Sequence, residues 1–190
     1  MSVIGRSIGR RAAAAFCAFM LVGALAPIAS AQDEPAFVFP CADGFEWEAA
    51  PDQPIQLFCG WGVSGGRGLI EMYLLAHEGT LVIEDEDGNA VLSFGAAEFA
   101  TLWGDPESGP SGFDDVTCAS PSGWGVGWSY LIASGLPEGT YAITWDESLS
   151  HPVTDGLQTC RFLDGTRLVE PPNHLVSGGA TAVGTIIVSD

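Results

Sequence analysis

A serine in a glycine-rich segment is the first candidate for chemistry. Ser64 lies at the centre of residues 62–66 (GVSGG), which fit the G-x-S-x-G pattern that presents a nucleophilic serine in hydrolases. Asp155 and His174 follow in the order that such a catalytic set requires. If residues 1–31 are removed as a signal peptide, only residues 32–63 precede Ser64, too few for the strands that normally lie beneath such a serine. The density of glycines around it also favours a flexible loop. We therefore expect a loop here, with a serine hydrolase using Ser64 as an alternative function.

A metal site is the second candidate. His151 and Asp155 offer an imidazole nitrogen and a carboxylate oxygen, and we expect both on one turn. Borderline ions such as copper accept this pair of donors. A histidine that simply faces solvent is the alternative interpretation.

The acidic segment 85–89 (DEDGN) resembles a calcium-binding loop at first sight. An EF-hand loop needs oxygen ligands at fixed positions around its glycine, and that spacing would place apolar residues at two ligand positions here. We therefore favour a solvated turn, with a looser calcium site as the alternative.

Tryptophan content indicates a third kind of site. Flat indole rings stack on the C–H faces of sugars, while neighbouring carboxylates accept hydrogen bonds from sugar hydroxyls. We expect Trp145 in the core, and Trp103 and Trp124 exposed and available to a carbohydrate. The chain has six tryptophans: Trp47, Trp61, Trp103, Trp124, Trp128 and Trp145.

Four cysteines follow the N-terminal segment: Cys41, Cys59, Cys118 and Cys160. In an exported chain this number predicts two disulfides, with three possible connectivities. We favour pairing in sequence order, 41–59 and 118–160, because each bond then closes one local unit. Zinc is the alternative ligand, but the spacing contains no C-x-x-C pair.

The N-terminus has the pattern of a signal peptide over residues 1–31. Three arginines precede an apolar stretch over residues 12–26, and residues 27–31 (PIASA) provide a small-x-small cleavage site. We expect cleavage after Ala31, which leaves a single domain over residues 32–190. The location would then be periplasmic or extracellular, without membrane insertion of the mature chain.

Charge narrows the range of partners. The sequence carries 24 acidic residues against six basic ones. Residues 32–190 contain no lysine, and their only arginines are Arg67, Arg161 and Arg167. Such a surface repels phosphates and anionic headgroups, so we expect neither nucleic acid nor a membrane as a partner.

Short β-rich runs separated by turn residues dominate the pattern. Residues 81–84 and 90–94 flank the acidic turn and predict a hairpin, because Asp-Gly is typical of tight turns. Residues 126–133 and 140–145 predict a second hairpin, with Tyr141, Ile143 and Trp145 on its buried face. Further expectations are strands over 55–59 and 182–188, helical structure over 69–77 or 96–102, and an exposed loop over 104–113.

This pattern predicts an all-β fold: one disulfide-stapled β-sandwich domain, immunoglobulin-like or jelly-roll-like, after a signal peptide. No internal repeat of the length typical of solenoids or propellers is visible.

Two segments resemble one family. Residues 136–145 (LPEGTYAITW) and 150–156 (SHPVTDG) resemble the final hairpin of the periplasmic copper-resistance β-sandwich family. The resemblance implies an immunoglobulin-like sandwich. It also implies Cu(II) binding by the turn histidine, matched by His151, with a nearby aspartate and an amino-terminal histidine. Gln32 stands at the predicted mature start in place of that terminal histidine.

We expect an exported, non-catalytic binding module for a carbohydrate or an envelope protein, without a required cofactor. The alternatives are a periplasmic protein that binds copper or calcium, and the serine hydrolase described above.

Overall fold

The computed structural model describes residues 34–110, 116–168 and 175–190; for residues 110 and 175–178 only the backbone is described. The predicted signal peptide lies outside these residues. The described chain is mostly β-strand with two short helices, α1 (Arg67–Ala76) and α2 (Ala96–Phe99). Its strands are β1 (Ala36–Val38), β2 (Glu46–Ala49), β3 (Ile55–Ser64), β4 (His77–Glu84), β5 (Ala90–Phe94), β6 (Glu107–Pro110), β7 (Val116–Thr117), β8 (Ser122–Ile132), β9 (Gly139–Thr154), β10 (Arg161–Phe162) and β11 (Leu175–Val188).

These strands form three sheets. The four-stranded sheet has the order β1-β3-β8-β6, and β1 runs parallel to β3 while the other neighbours are antiparallel. The five-stranded sheet has the order β2-β11-β9-β4-β5, with β2 parallel to β11. Strands β7 and β10 form a small antiparallel pair. Both larger sheets are therefore mixed.

The main hydrophobic cluster draws on both larger sheets. Ile55, Leu57 and Trp128 come from the four-stranded sheet, while Ile83 and Ile186 come from the five-stranded sheet. Burying each such side chain contributes about 1.5–3 kcal/mol. The predicted alternation in β9 is confirmed, since Tyr141, Ile143 and Trp145 are all buried in this cluster.

Both helical segments match the sequence pattern. Helix α1 buries Ile70, Tyr73 and Ala76, which lie three residues apart on one face. Helix α2 buries Phe99 completely and continues into a short 3₁₀ turn, Ala100–Leu102. Of the helices in the three described ranges, neither is long and apolar enough to cross a membrane.

The first predicted hairpin is confirmed and the second is wrong. Strands β4 and β5 pair around the acidic turn, as expected. Strands β8 and β9 exist, but β8 pairs within the four-stranded sheet and β9 within the five-stranded sheet. A hairpin would place their apolar faces side by side in one sheet. The connection between β8 and β9 instead runs from the four-stranded sheet to the five-stranded sheet. The apolar faces of the two strands therefore meet in the main cluster.

The expected exposed loop over 104–113 is partly a strand. Its residues in β6 pair with β8 at the edge of the four-stranded sheet. A proline ends this strand, and an edge position tolerates proline because one side of the strand needs no hydrogen-bond donor. Residues 111–113 lie outside the described residues.

The preferred disulfide connectivity is confirmed. Cys41 is bonded to Cys59, and Cys118 is bonded to Cys160. The first bond attaches the segment between β1 and β2 to strand β3. The second attaches the chain after β7 to the chain before β10, where Cys160 is buried with Val116 and Leu168 in a small separate cluster.

Candidate functional site

One face of the four-stranded sheet points away from the main cluster, and we call it the outer face. On β3, Ile55, Leu57 and Cys59 are buried in the cluster. Because side chains alternate along a strand, the residues between them occupy the opposite face. The outer face of β3 therefore carries Gln56, Phe58, Gly60 and Gly62.

Strand β8 continues this face. Val126 and Trp128 are buried on the inner side, so the residues between and beyond them point outward. The antiparallel register sets each outer-face residue of β3 opposite one of β8. These pairs are Gln56 with Leu131, Phe58 with Ser129, Gly60 with Gly127, and Gly62 with Gly125.

Three phenylalanines form an aromatic group on the outer face, which we call the phenylalanine cluster: Phe37, Phe39 and Phe58. The rings of Phe37 and Phe58 are 5.9 Å apart and meet edge to face. The rings of Phe39 and Phe58 are 3.9 Å apart. Phe37 is 57% exposed, and Leu131 on β8 is 47% exposed. Phe37 is thus presented to solvent, while Phe39 and Phe58 are half-buried.

The outer face carries little charge in an otherwise acidic chain. Its strands hold one acidic residue, Glu107 of the edge strand β6, which is exposed and lies opposite Gly125. Strands β1, β3 and β8 contain no Asp, Glu, Lys, Arg or His, although the whole sequence has 24 acidic residues. The strands of the five-stranded sheet carry more acidic residues: Glu46, Glu48, Glu78, Glu84, Asp146 and Glu147. The two larger sheets therefore differ in electrostatic character, and a neutral ligand meets no like charge on β1, β3 or β8.

The arrangement suits contact with a flat, uncharged surface. The Gly60–Gly127 pair leaves the backbone without side chains beside the phenylalanine cluster, so a ligand can approach closely. Gln56 and Ser129 are neutral hydrogen-bonding groups on the same face. Aromatic rings next to neutral polar groups provide stacking and hydrogen bonding together.

The predicted sugar-facing tryptophans are both half-buried rather than exposed. Trp103 packs edge-on against Tyr73 and His77, and its indole N–H is buried without a partner among the described residues. Trp124 lies under the guanidinium of Arg67, which is 5.5 Å from the ring centroid. Their predicted role in ligand binding stays a prediction. Trp145, expected in the core, is buried there.

The predicted metal pair occupies two different environments. His151 lies in strand β9 rather than on a turn, and it is exposed, with Nδ1 3.2 Å from the Ser150 hydroxyl. Asp155 is buried, and its Oδ1 accepts the backbone N–H of Leu157. Within residues 34–110, 116–168 and 175–190, no three His, Cys, Asp or Glu side chains are grouped to hold a metal ion. Copper binding by this pair stays a prediction.

Ser64 is the last residue of strand β3, so the expected flexible loop is wrong for residues 62–64. Its backbone N–H donates to the carbonyl of Asp155, and its hydroxyl is buried without a hydrogen-bond partner among the described residues. Gly156, in the left-handed conformation at φ 73°, packs so closely on the Ser64 carbonyl that a Cβ would clash. His174 lies outside the described residues, so the hydrolase stays a hypothesis.

The acidic turn is closed by its own hydrogen bonds. Asp85 Oδ1 accepts the backbone N–H groups of Asp87 and Asn89, and the Asn89 side chain donates to both carboxylate oxygens. The Asn89 side-chain hydrogen bond is the main cause that lowers the pKa of Asp85. These contacts are those of a self-contained turn, as favoured from the sequence.

Comparison with known proteins matches no family model, no curated protein and no solved structure. The resemblance to the copper-resistance family therefore stays an expectation from two sequence segments.

The phenylalanine cluster was not predicted from the sequence. The alternation along residues 55–59 was a usable signal for Phe58, because it separates Phe58 from the buried positions on either side. No comparable signal marked Phe37 and Phe39, since phenylalanine in a short strand usually predicts core.

Proposed function

We propose that the protein is an exported, non-catalytic β-sandwich module that binds a neutral polysaccharide through its outer face. The joint main cluster of the two larger sheets supports the sandwich. Two disulfides support export, because such bonds persist in oxidising compartments outside the cytoplasm. The predicted signal peptide is consistent with a periplasmic or extracellular location.

The choice of ligand is based on the phenylalanine cluster, in which Phe37 is exposed, and on the absence of charged residues from strands β1, β3 and β8. A nucleic acid or an anionic lipid would meet a strongly acidic molecule. A neutral polysaccharide chain is extended, presents flat C–H faces to aromatic rings, and offers hydroxyls to groups such as Gln56 and Ser129. An envelope protein is the second candidate partner, because exposed apolar patches also mark protein interfaces.

Depletion assays with insoluble cellulose, chitin and starch test the ligand class, with anionic pectate as the charged comparison. We expect the purified protein to bind at least one neutral polysaccharide more tightly than pectate. Phe37→Ala and Phe58→Ala should each weaken that binding roughly 30-fold, which corresponds to about 2 kcal/mol for one lost aromatic contact.

Phe45 provides a matched control. It is 52% exposed, close to the value for Phe37, but it lies beside β2 at the edge of the five-stranded sheet. Phe45→Ala should leave binding unchanged. Equal losses in Phe45→Ala and Phe37→Ala, or no binding to any neutral polysaccharide, would contradict the proposal.

A further inference from the structure

A group of polar side chains lies where α1, β4 and β9 meet, and it shares no residue with the phenylalanine cluster. It consists of Tyr73, His77 and Glu147. The Tyr73 hydroxyl is 3.4 Å from Glu147 Oε2, and His77 Nε2 is 3.5 Å from the same oxygen. A phenol and an imidazole thus approach the same carboxylate oxygen.

Local structure fixes this convergence. The His77 backbone N–H donates to the Tyr73 carbonyl at the end of α1, so the two side chains are one helical turn apart. In the β4–β9 ladder His77 is opposite Leu149, and Gly79 is opposite Glu147. His77 and Glu147 are therefore diagonal neighbours on one face of the sheet.

Gly79 makes room for the imidazole. A Cβ at position 79 would come within 2.7 Å of His77 Cε1 and 2.8 Å of the Phe99 ring. Real side chains essentially never approach so closely. Any larger residue at this position would displace the imidazole, so the Gly79 backbone forms one side of the space that His77 occupies.

The imidazole of His77 is buried and lacks a hydrogen bond at Nε2 among the described residues. The His77 side chain is only 2% exposed. The 3.5 Å separation from Glu147 is longer than the 2.7–3.2 Å typical of a hydrogen bond. An unsatisfied buried polar atom costs about 1–3 kcal/mol, so this placement needs a compensating interaction.

The separations are those expected between ligands of one metal ion. Donor atoms about 2.0–2.2 Å from a tetrahedrally coordinated ion lie about 3.4 Å from one another. That value matches the distances from Glu147 Oε2 to the Tyr73 hydroxyl and to His77 Nε2. We propose that His77 Nε2, Glu147 Oε2 and the Tyr73 hydroxyl form a binding site for one borderline divalent metal ion of the zinc class.

The surroundings fit such an ion. Phe99 stacks on the imidazole, Trp103 meets it edge-on at 5.1 Å, and Trp61 stacks on Tyr73 at 5.0 Å. These rings shield the site from water on several sides, while Glu147 keeps 19% of its side chain exposed and provides a route of entry. Nitrogen and oxygen donors suit zinc and neighbouring transition metals better than calcium, which takes oxygen ligands.

Calorimetric titration of the chelator-treated protein with Zn²⁺ tests the site. We expect one equivalent to bind, and His77→Gln and Glu147→Gln to weaken binding roughly 100-fold or more, since even supporting residues of metal sites contribute 10–100-fold. Glu78→Gln is the matched control, because Glu78 follows His77 directly but is exposed on the other face of β4.

Circular dichroism of the metal-free variants shows whether they are folded. If His77→Gln does not fold, the Zn²⁺ affinity of Glu147→Gln tests the proposal. Co²⁺ substitution should give the intense visible bands of tetrahedral coordination, and both glutamine variants should lose them. The proposal would be overturned if the unmodified protein does not bind Zn²⁺, or if a folded His77→Gln or Glu147→Gln variant binds it with unchanged affinity. Loss of Zn²⁺ binding in His151→Gln instead would also overturn it.

Discussion

Tyr73 illustrates how the surroundings of one residue set its chemistry. Its hydroxyl is buried, with the Glu147 carboxylate as its hydrogen-bond acceptor, and both causes disfavour the phenolate and raise its pKa. The folded pKa is higher than the unfolded value of about 10. Its contribution to stability is therefore fully present below about pH 10 and is lost as the pH rises through the folded pKa.

Alkaline titration followed by ultraviolet absorbance tests this residue. The chain has three tyrosines, and we expect Tyr73 to ionise only when the protein unfolds. Tyr73→Phe should remove the ionisation that coincides with unfolding. A phenolate at Tyr73 in the folded, metal-free protein near pH 10 would contradict the assignment.

Asp85 shows the opposite shift. Hydrogen bonds, chiefly from the Asn89 side chain, lower the pKa of its carboxyl. The associated stability is present above the unfolded value of about 3.9 and is lost as the pH falls through the lower folded pKa. In an NMR pH titration, Asn89→Ala should move the pKa of Asp85 back up. Asp164, whose pKa is lowered by Thr166 in another turn, should not change.

At the scale of elements, Gly79 determines whether strand β4 can accommodate His77. Gly79→Ala should destabilise the protein by about 1–3 kcal/mol, because the added methyl overpacks the imidazole and Phe99. Gly68→Ala in α1 is the control, since a Cβ there meets nothing within 4 Å. Alanine is the better helix former, so Gly68→Ala should stabilise by up to about 1 kcal/mol. Urea unfolding measures both, and equal effects would contradict this account.

Strand faces and the β4–β5 pairing across a short turn were predictable from the sequence, whereas the partners of strands distant in the chain were not. Alternation in 140–145 identified the buried face of β9, because side-chain direction is a local property. The pairing of β9 with β4 and β11 depends on residues far away in sequence. A hairpin with β8 was the simplest interpretation of adjacent strands, and it was wrong.

His151 shows a second limit of sequence reasoning. The H-P-V segment resembles a turn, yet it continues β9, and the ladder with β11 shifts register between Val176 and Gly178, opposite this segment. Proline and the neighbouring residues are accommodated by the irregularity rather than by a chain reversal. The Tyr73–His77–Glu147 group was equally hidden, because it joins residues 70 positions apart through sheet register.

At the scale of the molecule, the two disulfides close loops of different length. The cysteines are separated by 18 residues in the first bond and 42 in the second. Loop entropy predicts a loss of about 3 kcal/mol for removing Cys41–Cys59 and about 4 kcal/mol for Cys118–Cys160. Paired Cys→Ala variants compared by denaturant unfolding test this order, and a larger loss for the shorter loop would contradict it.

Composition predicted an acidic molecule but could not show where the charge lies. The sheet topology separates charge-free β1, β3 and β8 from the acid-bearing strands of the five-stranded sheet. The phenylalanine cluster lies on the charge-free strands. This separation is the central feature of the proposed binding function.

Amide hydrogen exchange with and without soluble hydroxyethyl cellulose, or the soluble form of whichever neutral polysaccharide binds, tests that feature most directly. We predict slower exchange in β1, β3 and β8 on binding, and no change in β4 or β5. Protection confined to the five-stranded sheet or to the region of His151, with β3 and β8 unchanged, would contradict the account.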